Sequence, residues 1–397
     1  MYKSISIFFI LTLIAAWNAE ARDFNGLLDT VLGNNMALSS SQASNENELL
    51  QLKSENNLAD PEVEVEHLWG RHDAKNKFNI SVSQSFDWPG TYAARSKAIN
   101  FGSQAIESLN RSNYLDKKLE IKLLFIDIIN TRKKLALLHE RDKQTDSLIA
   151  ICRTGVENGE QSILTLNKLE ITKIRFKNSL VNLENQYTAL KTSLIQMNGG
   201  LDCEEILAHL DEYPDEMILS VDEYENQILE KDPMKRYSAL MVQSQLQNVK
   251  AEKLKRFPGI SLGYVHARED GEIFNGISAG ISLPVFSTRH KIKAAEALQR
   301  SLKYDEATQA ISQRTSMMAS RDKALALYKE YKALDAILKN GNNQALLKKS
   351  LDNGIITAQE YLNEMSYFLD AWQDLLDAQY NYHLEAAVLN KYMLLDE

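Results

Sequence analysis

A strand that stops at a proline and hands over to a very long helical segment occurs twice in this chain. Phe78 to Gly90 is the first copy and Gly276 to Pro284 the second, so Pro89 matches Pro284 at an offset of 195 residues. The same offset relates Asn158-Gly159, in the interruption Gly155 to Ser162, to Asn353-Gly354, in Ser350 to Thr357. Two landmarks sharing one offset make an internal duplication. Two elongated repeats then account for 397 residues that length alone would divide into two or three domains.

Between the landmarks the residues favour helix. Only 16 Gly and 6 Pro are present, and straight-chain residues, which lose little rotamer freedom in a helix, dominate. From Thr91 to about Arg153 no Pro occurs, and Ile99, Ile106, Leu109, Leu115, Leu119, Leu123 and Ile126 recur at three- and four-residue steps. Such a helix would be on the order of 90 Å long, and it needs neighbours along its seams, as in a coiled-coil assembly. Ile163 to Met197 returns as a second helix, stopped by Asn198-Gly199-Gly200. Upstream, 22–58 reads as one helix ended by Asp60-Pro61, with Ser39, Ser40, Ser41 and Ser44 as places to break or cap it. The second repeat replays the order: helix Val221 to Lys255, strand Ile260 to His266, loop Ala267 to Asn275, strand Gly276 to Leu283, helix Ser287 to Lys349, and helix Thr357 to Met393. Gly341 to Asn343 is a break without an equivalent in the first repeat.

The strands alternate. Val63 and Val65, extended by His67 and Trp69, fall on one face of the first; Phe78, Ile80, Val82 and Gln84 oppose Asn79, Ser81, Ser83 and Ser85 in the next. A membrane-barrel strand requires this pattern, and any half-buried antiparallel strand also shows it. Past the leader no apolar run is long enough for a transmembrane helix, so a crossing would use strands. Two hairpins cannot close a barrel that needs about eight strands, so a barrel would take several chains.

Lys3, the apolar run Ile5 to Trp17, and Ala19-Glu20-Ala21 read as a signal peptide over 1–21; a non-cleaved anchor is the other reading. No Cys near the cleavage site offers a lipid anchor. Export would permit a disulfide between Cys152 and Cys203, and two unpaired thiols are the alternative. The net charge of −9, with no basic stripe, argues against nucleic acid. No phosphate-cradling loop, His-Glu-x-x-His or Cys-x-x-Cys is present, so no enzyme is expected and no cofactor is implied.

A duplicated unit of helix, strand, strand, long helix, tight turn and return helix, behind a signal peptide, resembles the outer-membrane efflux protein family typified by TolC. The likeness covers the whole mature chain and rests on Asp60-Pro61 and Phe257-Pro258, the strand-Pro pairs, and the two Asn-Gly turns followed by Ser162 or Thr357. It implies a mainly α fold with a small β part. The first repeat is 22–200 (strands about 61–69 and 78–88, turn 155–160), 201–221 is a connector, and the second repeat is 222–397 (strands about 259–267 and 276–284, turn 350–356). Three chains would share a 12-stranded outer-membrane barrel that continues into a periplasmic helical barrel. The implied function is passive conduction in a tripartite efflux system, with a homotrimer, a periplasmic adaptor, an inner-membrane pump and outer-membrane lipid as partners.

By the same resemblance the adaptor docks at Asn158, Gly159, Glu160, Asn353, Gly354 and Ile355, where a simple helix cap is the plainer reading. Glu157, Glu160 and Asp352 are candidates for an acidic ring at the entrance, or for an ordinary solvated turn. Trp69 and Trp88 fit interfacial aromatics at a barrel rim. Asp87 to Gly90 and Tyr92 to Arg95 resemble the heavy-metal cation branch, yet His67, His72 and His266 make no closed metal site. An exported periplasmic coiled-coil scaffold is the competing reading. The two differ over whether Val63, Val65, Phe78, Ile80, Val82, Ile277, Ala279 and Ile281 form one exposed band or are buried against protein.

Overall fold

The computed structural model describes residues 24–70, 75–269, 271–286, 289–340 and 343–395. The leader, His72, Ser287, Gly341 and Asn342 lie outside them. In chain order the elements are α1 (Phe24–Asn34), α2 (Met36–Ser54), β1 (Glu62–Leu68), β2 (Lys77–Phe86), α3 (Pro89–Glu157), α4 (Ile163–Met197), α5 (Glu204–Ala208) and α6 (Val221–Glu223). A π turn, Tyr224–Ile228, and a 3-10 turn, Leu229–Lys231, lead to α7 (Pro233–Leu254), β3 (Gly259–Glu269), β4 (Glu272–Ser282), α8 (Lys291–Asn340), α9 (Asn343–Asp352) and α10 (Ala358–Leu389). A last 3-10 turn covers Lys391–Leu395. None of the described helices is long and apolar enough to cross a membrane.

The chain forms two compact units, and each takes segments from both repeats. One unit comprises the described residues of Met1–Ser39, Tyr114–Leu229 and Thr315–Glu397. Its core starts from Leu27, Leu28, Val31 and Leu32, a single stripe along α1. These join Ile121, Phe125, Ile128 and Ile129 of α3, Leu194 of α4, and Cys203, Ile206, Leu207 and Leu210 of the connector. The connector is therefore packed into the core. Arg132 Nη1 donates to the Leu207 and Leu210 carbonyls at 2.7 and 2.9 Å, satisfying acceptors that the short α5 leaves open. Lys122 and Glu216 pair at 2.7 Å with side chains only 6% and 3% exposed, and Asn390 Nδ2 donates to the other Glu216 carboxylate oxygen at 2.8 Å.

The other unit comprises Ser40–Asn113 and Glu230–Arg314 and holds the sheet. Strands β1 to β4 form an antiparallel meander in sequence order, leaving β1 and β4 as edges. Ser244 Oγ donates to the Ala98 carbonyl at 2.8 Å, and Gln245 Nε2 donates to that of Ala295 at 3.0 Å, tying α7 to α3 and α8.

Several expected boundaries move. The single helix over 22–58 is two, because Asn35 breaks it: its Oδ1 accepts from the Leu38 amide at 2.9 Å while its Nδ2 donates to the Met197 carbonyl at 3.0 Å. The helix over Val221 to Lys255 is interrupted at Asp232-Pro233, where Asp232 caps α7 by accepting from the Met234 amide and Pro233 takes the first helical position. The expected strand to residue 88 stops at Phe86, and Pro89 opens α3. The expected loop Ala267 to Asn275 is mostly strand, paired from Ala267↔Phe274 to Glu269↔Glu272, with Gly271 at φ 96° in the turn. The helix expected from Ser287 begins at Lys291 and ends at Asn340, and α9 resumes it at Asn343. Cys152 and Cys203 are unpaired and buried, one in each of two separate clusters.

Candidate functional site

In the first unit the two Asn-Gly turns are equivalent bond for bond. The Gly155 carbonyl accepts from the Glu160 amide at 2.7 Å and the Val156 carbonyl from Gly159 at 3.1 Å. At the same offset the Ser350 carbonyl accepts from Ile355 at 2.8 Å and the Leu351 carbonyl from Gly354 at 2.9 Å. Each is a Schellman end, which needs a left-handed residue; Gly159 (φ 77°) and Gly354 (φ 69°) supply it without a Cβ penalty. The next helix is capped at once. Ser162 accepts from the Leu164 amide, and Thr357 forms a reciprocal capping box with Glu360. Leu148, Ile149, Cys152, Leu166 and Leu169 pack with Tyr361 and Met365 in one cluster that also touches Val156, Leu351 and Ile356, so the two turns share one foundation. Above it Glu157, Asn158, Gly159, Glu160, Asp352, Asn353, Gly354 and Ile355 are exposed, Ile355 to 72%. The expected docking residues and acidic residues thus occupy one pair of anchored turns.

In the second unit the register assembles one apolar face. Val63 pairs with Val82, Val82 with Tyr264, and Tyr264 with Ile277. The row of Phe86, Ile260 and Ile281 and the row of Val65, Ile80 and His266 lie on the same face, with Leu262 and Ala279 between. Directly paired residues share a face, so Val63, Val65, Phe78, Ile80, Val82, Ile277, Ala279 and Ile281 all lie together. Ile277 is 93% exposed. The opposite face carries Glu62, Ser83, Gly263 and Ser278 in one row and Glu64, Ser81, Val265 and Gly276 in the next. Toward the hairpin end the apolar face ends in polar groups, where Asn275 Oδ1 accepts from Tyr264 at 3.0 Å and meets His266 Nδ1 at 2.7 Å.

Trp88, at the other end of the strands, stacks on Phe257 with centroids 5.2 Å apart. Trp69 lies edge-on to His67 at 5.0 Å. Asp87, Tyr92 and Arg95 close on one another: Arg95 Nη2 meets the Asp87 carboxylate at 2.7 Å, and the Asp87 amide donates to the Tyr92 hydroxyl at 3.0 Å. That motif is a helix-start clasp. No group of three or more His, Cys, Asp or Glu side chains converges on a metal-sized site among the described residues.

Sequence reading missed a basic band. Lys250, Lys253, Lys255 and Arg256 at the end of α7 and Arg289, Lys291, Lys293 and Arg300 around the start of α8 flank only two carboxylates, Glu252 and Glu296. Lys253 meets Glu296 at 2.8 Å, and Lys253, Arg300 and Arg256 hold that carboxyl below its ordinary range. Exposed Phe257, Leu283, Val285 and Phe286 adjoin this band along the chain. The cations come from two segments that are separated by a hairpin, so no linear stripe announces them.

This duplicated arrangement, a four-stranded meander continued by long paired helices, is the fold of outer-membrane channel proteins. The chain matches the outer membrane channel CmeC of Campylobacter jejuni with a TM-score of 0.75 and 16% identity, covering 95% of this chain and 87% of that one. It matches the open state of the Neisseria gonorrhoeae outer membrane channel MtrE at 0.71 and 15%, covering 93% and 88%. CusC, whose structures concern folding and transmembrane channel formation, matches at 0.74 and 14%, covering 92% and 91%. No protein-family model and no curated protein matches the sequence, so the likeness is one of fold.

Proposed function

We propose that three copies of this chain form an outer-membrane channel that passively conducts exported solutes as one component of a tripartite efflux system. The observation that carries the reading is the apolar sheet face, exposed across all four strands and bordered by two open strand edges. A contiguous apolar patch with unpaired edges is a liability in water, and both are satisfied if the sheet closes with other copies inside a lipid layer. Four strands per chain make twelve from three copies, enough for a closed barrel, and β2, β3 and β4, of 10, 11 and 11 residues, match the ~9–11 that a tilted spanning strand needs.

In this reading Trp69 and Trp88 sit at the two rims, and the basic band beside Phe257 and Phe286 faces anionic headgroups of the outer-membrane lipid. The leader at 1–21 directs export. The turns at Asn158, Gly159 and Glu160 and at Asn353, Gly354 and Ile355 dock a periplasmic adaptor, which links the channel to an inner-membrane pump. Glu157, Glu160 and Asp352, repeated threefold, set the charge of the entrance. No step of this function calls for catalysis.

Membrane fractionation followed by planar-bilayer conductance tests the proposal. A heat-labile, trimer-sized species in the outer membrane with discrete conductance steps is expected. Recovery as a soluble periplasmic protein without conductance would overturn it and favour the scaffold.

A further inference from the structure

The two repeats build the same junction, from strand to long helix, in opposite ways. In the first, Pro89 itself opens α3, and Thr91 behind it is buried. In the second, α8 begins only at Lys291, and Val285 and Phe286, which match Gly90 and Thr91 at the offset of 195, are 70% and 85% exposed. The helix faces differ in the same sense. Ala94, Ala98 and Ala105 are buried, whereas their counterparts Arg289, Lys293 and Arg300 are exposed cations. One copy of the junction is covered by its own chain; the other presents large apolar side chains and charge to whatever lies outside it.

By their three- and four-residue spacing Lys293, Glu296 and Arg300 share one face of α8, and Lys250 and Lys253 share one face of α7. The two faces meet where Lys253 bonds Glu296 at 2.8 Å, and Arg300 and Arg256 add their charge at that one carboxylate. Lys255 is taken by Glu252. Lys250, Arg256, Arg289, Lys291, Lys293 and Arg300 are exposed and make no ion pair with another described residue. Leu283 continues the alternation of Ile277, Ala279 and Ile281, so the apolar face of β4 runs on through exposed Leu283, Val285 and Phe286 to the cations. Apolar strand, aromatic residue and cations in that order follow the profile of a bilayer from its hydrocarbon to its headgroups. An acidic protein surface would match the charge but not this continuity with the apolar face.

We propose that this junction of the second repeat selectively binds anionic phospholipid, with the headgroup phosphate on Arg256, Lys293 and Arg300 and the upper acyl chains against Val285 and Phe286. The inference rests on the channel reading and deepens it, making lipid a selected ligand of one repeat instead of a uniform surrounding. Phe286→Trp is reconstituted in vesicles of equal parts phosphatidylglycerol and phosphatidylcholine, with only one of the two brominated. The quenching added over wild type reports which lipid touches the new indole. Phosphatidylglycerol should be enriched there about fivefold, the scale of one cation at an anionic surface. Higher salt should lower the preference, and Arg256→Gln combined with Lys293→Gln, both at exposed positions, should abolish it. Equal quenching by the two lipids, or a preference that neither salt nor the double variant changes, would overturn the inference. Quenching by neither lipid would also overturn it and would place another copy over the junction. Conductance of the wild-type protein in the same lipids scores the channel reading separately: conductance with equal quenching sinks this inference alone, and absence of both conductance and quenching sinks the two together.

Discussion

Ile277→Arg against Ser278→Arg is the sharpest test of what the sheet faces. The two residues are neighbours on β4 but belong to opposite faces, Ile277 in the row Val63, Val82, Tyr264 and Ser278 in the row Glu62, Ser83, Gly263. Val82 lies midway between Phe78 and Phe86, so its row is the centre of the apolar band. An arginine at the midplane of a lipid-facing barrel surface costs about 2–4 kcal/mol, so three copies would raise the cost to roughly 6–12 kcal/mol per closed barrel. Arginine at Ser278 would point to the watery side and should cost about 0–1 kcal/mol per chain. If the sheet instead faced water, Ile277, already 93% exposed, would accept arginine within about 0.5 kcal/mol. Urea unfolding of vesicle-inserted protein, with the trimer followed on unheated gels, measures the difference. Loss of the trimer in Ile277→Arg with retention in Ser278→Arg is expected. Equal behaviour of the two variants would refute the assignment of faces and, with it, the barrel.

Glu216→Ala should destabilise the helical unit by about 3–5 kcal/mol in urea unfolding, because it strands the buried Lys122 ammonium; combining it with Lys122→Met should recover most of the loss. His383, stacked on Tyr213 at 4.4 Å, has its pKa pulled from 6.5 to about 4 by burial first, then by Lys133 and Lys122. Its neutral form is the folded one, so its contribution is complete above pH 6.5 and declines as pH falls toward 4, by roughly 3 kcal/mol in all. Comparing urea midpoints at pH 7 and 4.5 should show that slope reduced in His383→Phe. Gly354→Ala places a Cβ at φ 69° and should cost about 1–2 kcal/mol in thermal unfolding, with Gly159→Ala similar. Ile355→Asp should change stability by less than about 0.5 kcal/mol, since Ile355 is exposed and leaves the cluster beneath it untouched, and under the proposed docking role it should reduce co-purification of a periplasmic adaptor.

What could be read from the sequence was what local chemistry decides. The return helix at Ile163 to Met197 was legible because Ser162 caps one end and Asn198-Gly199-Gly200 ends the other, and the paired turns because glycine follows asparagine at both. The apolar face was legible because a strand's period of two needs only the register to become a surface. Two of the misplaced boundaries depend on distant partners. Asn35 breaks a helix because the Met197 carbonyl, far along the chain, accepts from its side chain. Asp232 is held by Gln313 as well as by its own helix start, and the serines favoured as break points are continuous helix in α2. The hairpin around Gly271 reads as a loop because Ile273 and Phe274 are adjacent apolar residues on opposite faces and Asn275 takes the next position on the apolar face, so no polar-apolar alternation reaches the charged tip. Arg141 was the least visible of all. In sequence it is one cation among many on a long amphipathic helix, where a solvated side chain is the ordinary expectation. Only the packing of α9 and α10 beside α3 removes it from water and leaves one edge without a partner. A burial cost confined to a single edge of one guanidinium is a property of the assembled helices, so it can be read only from the fold.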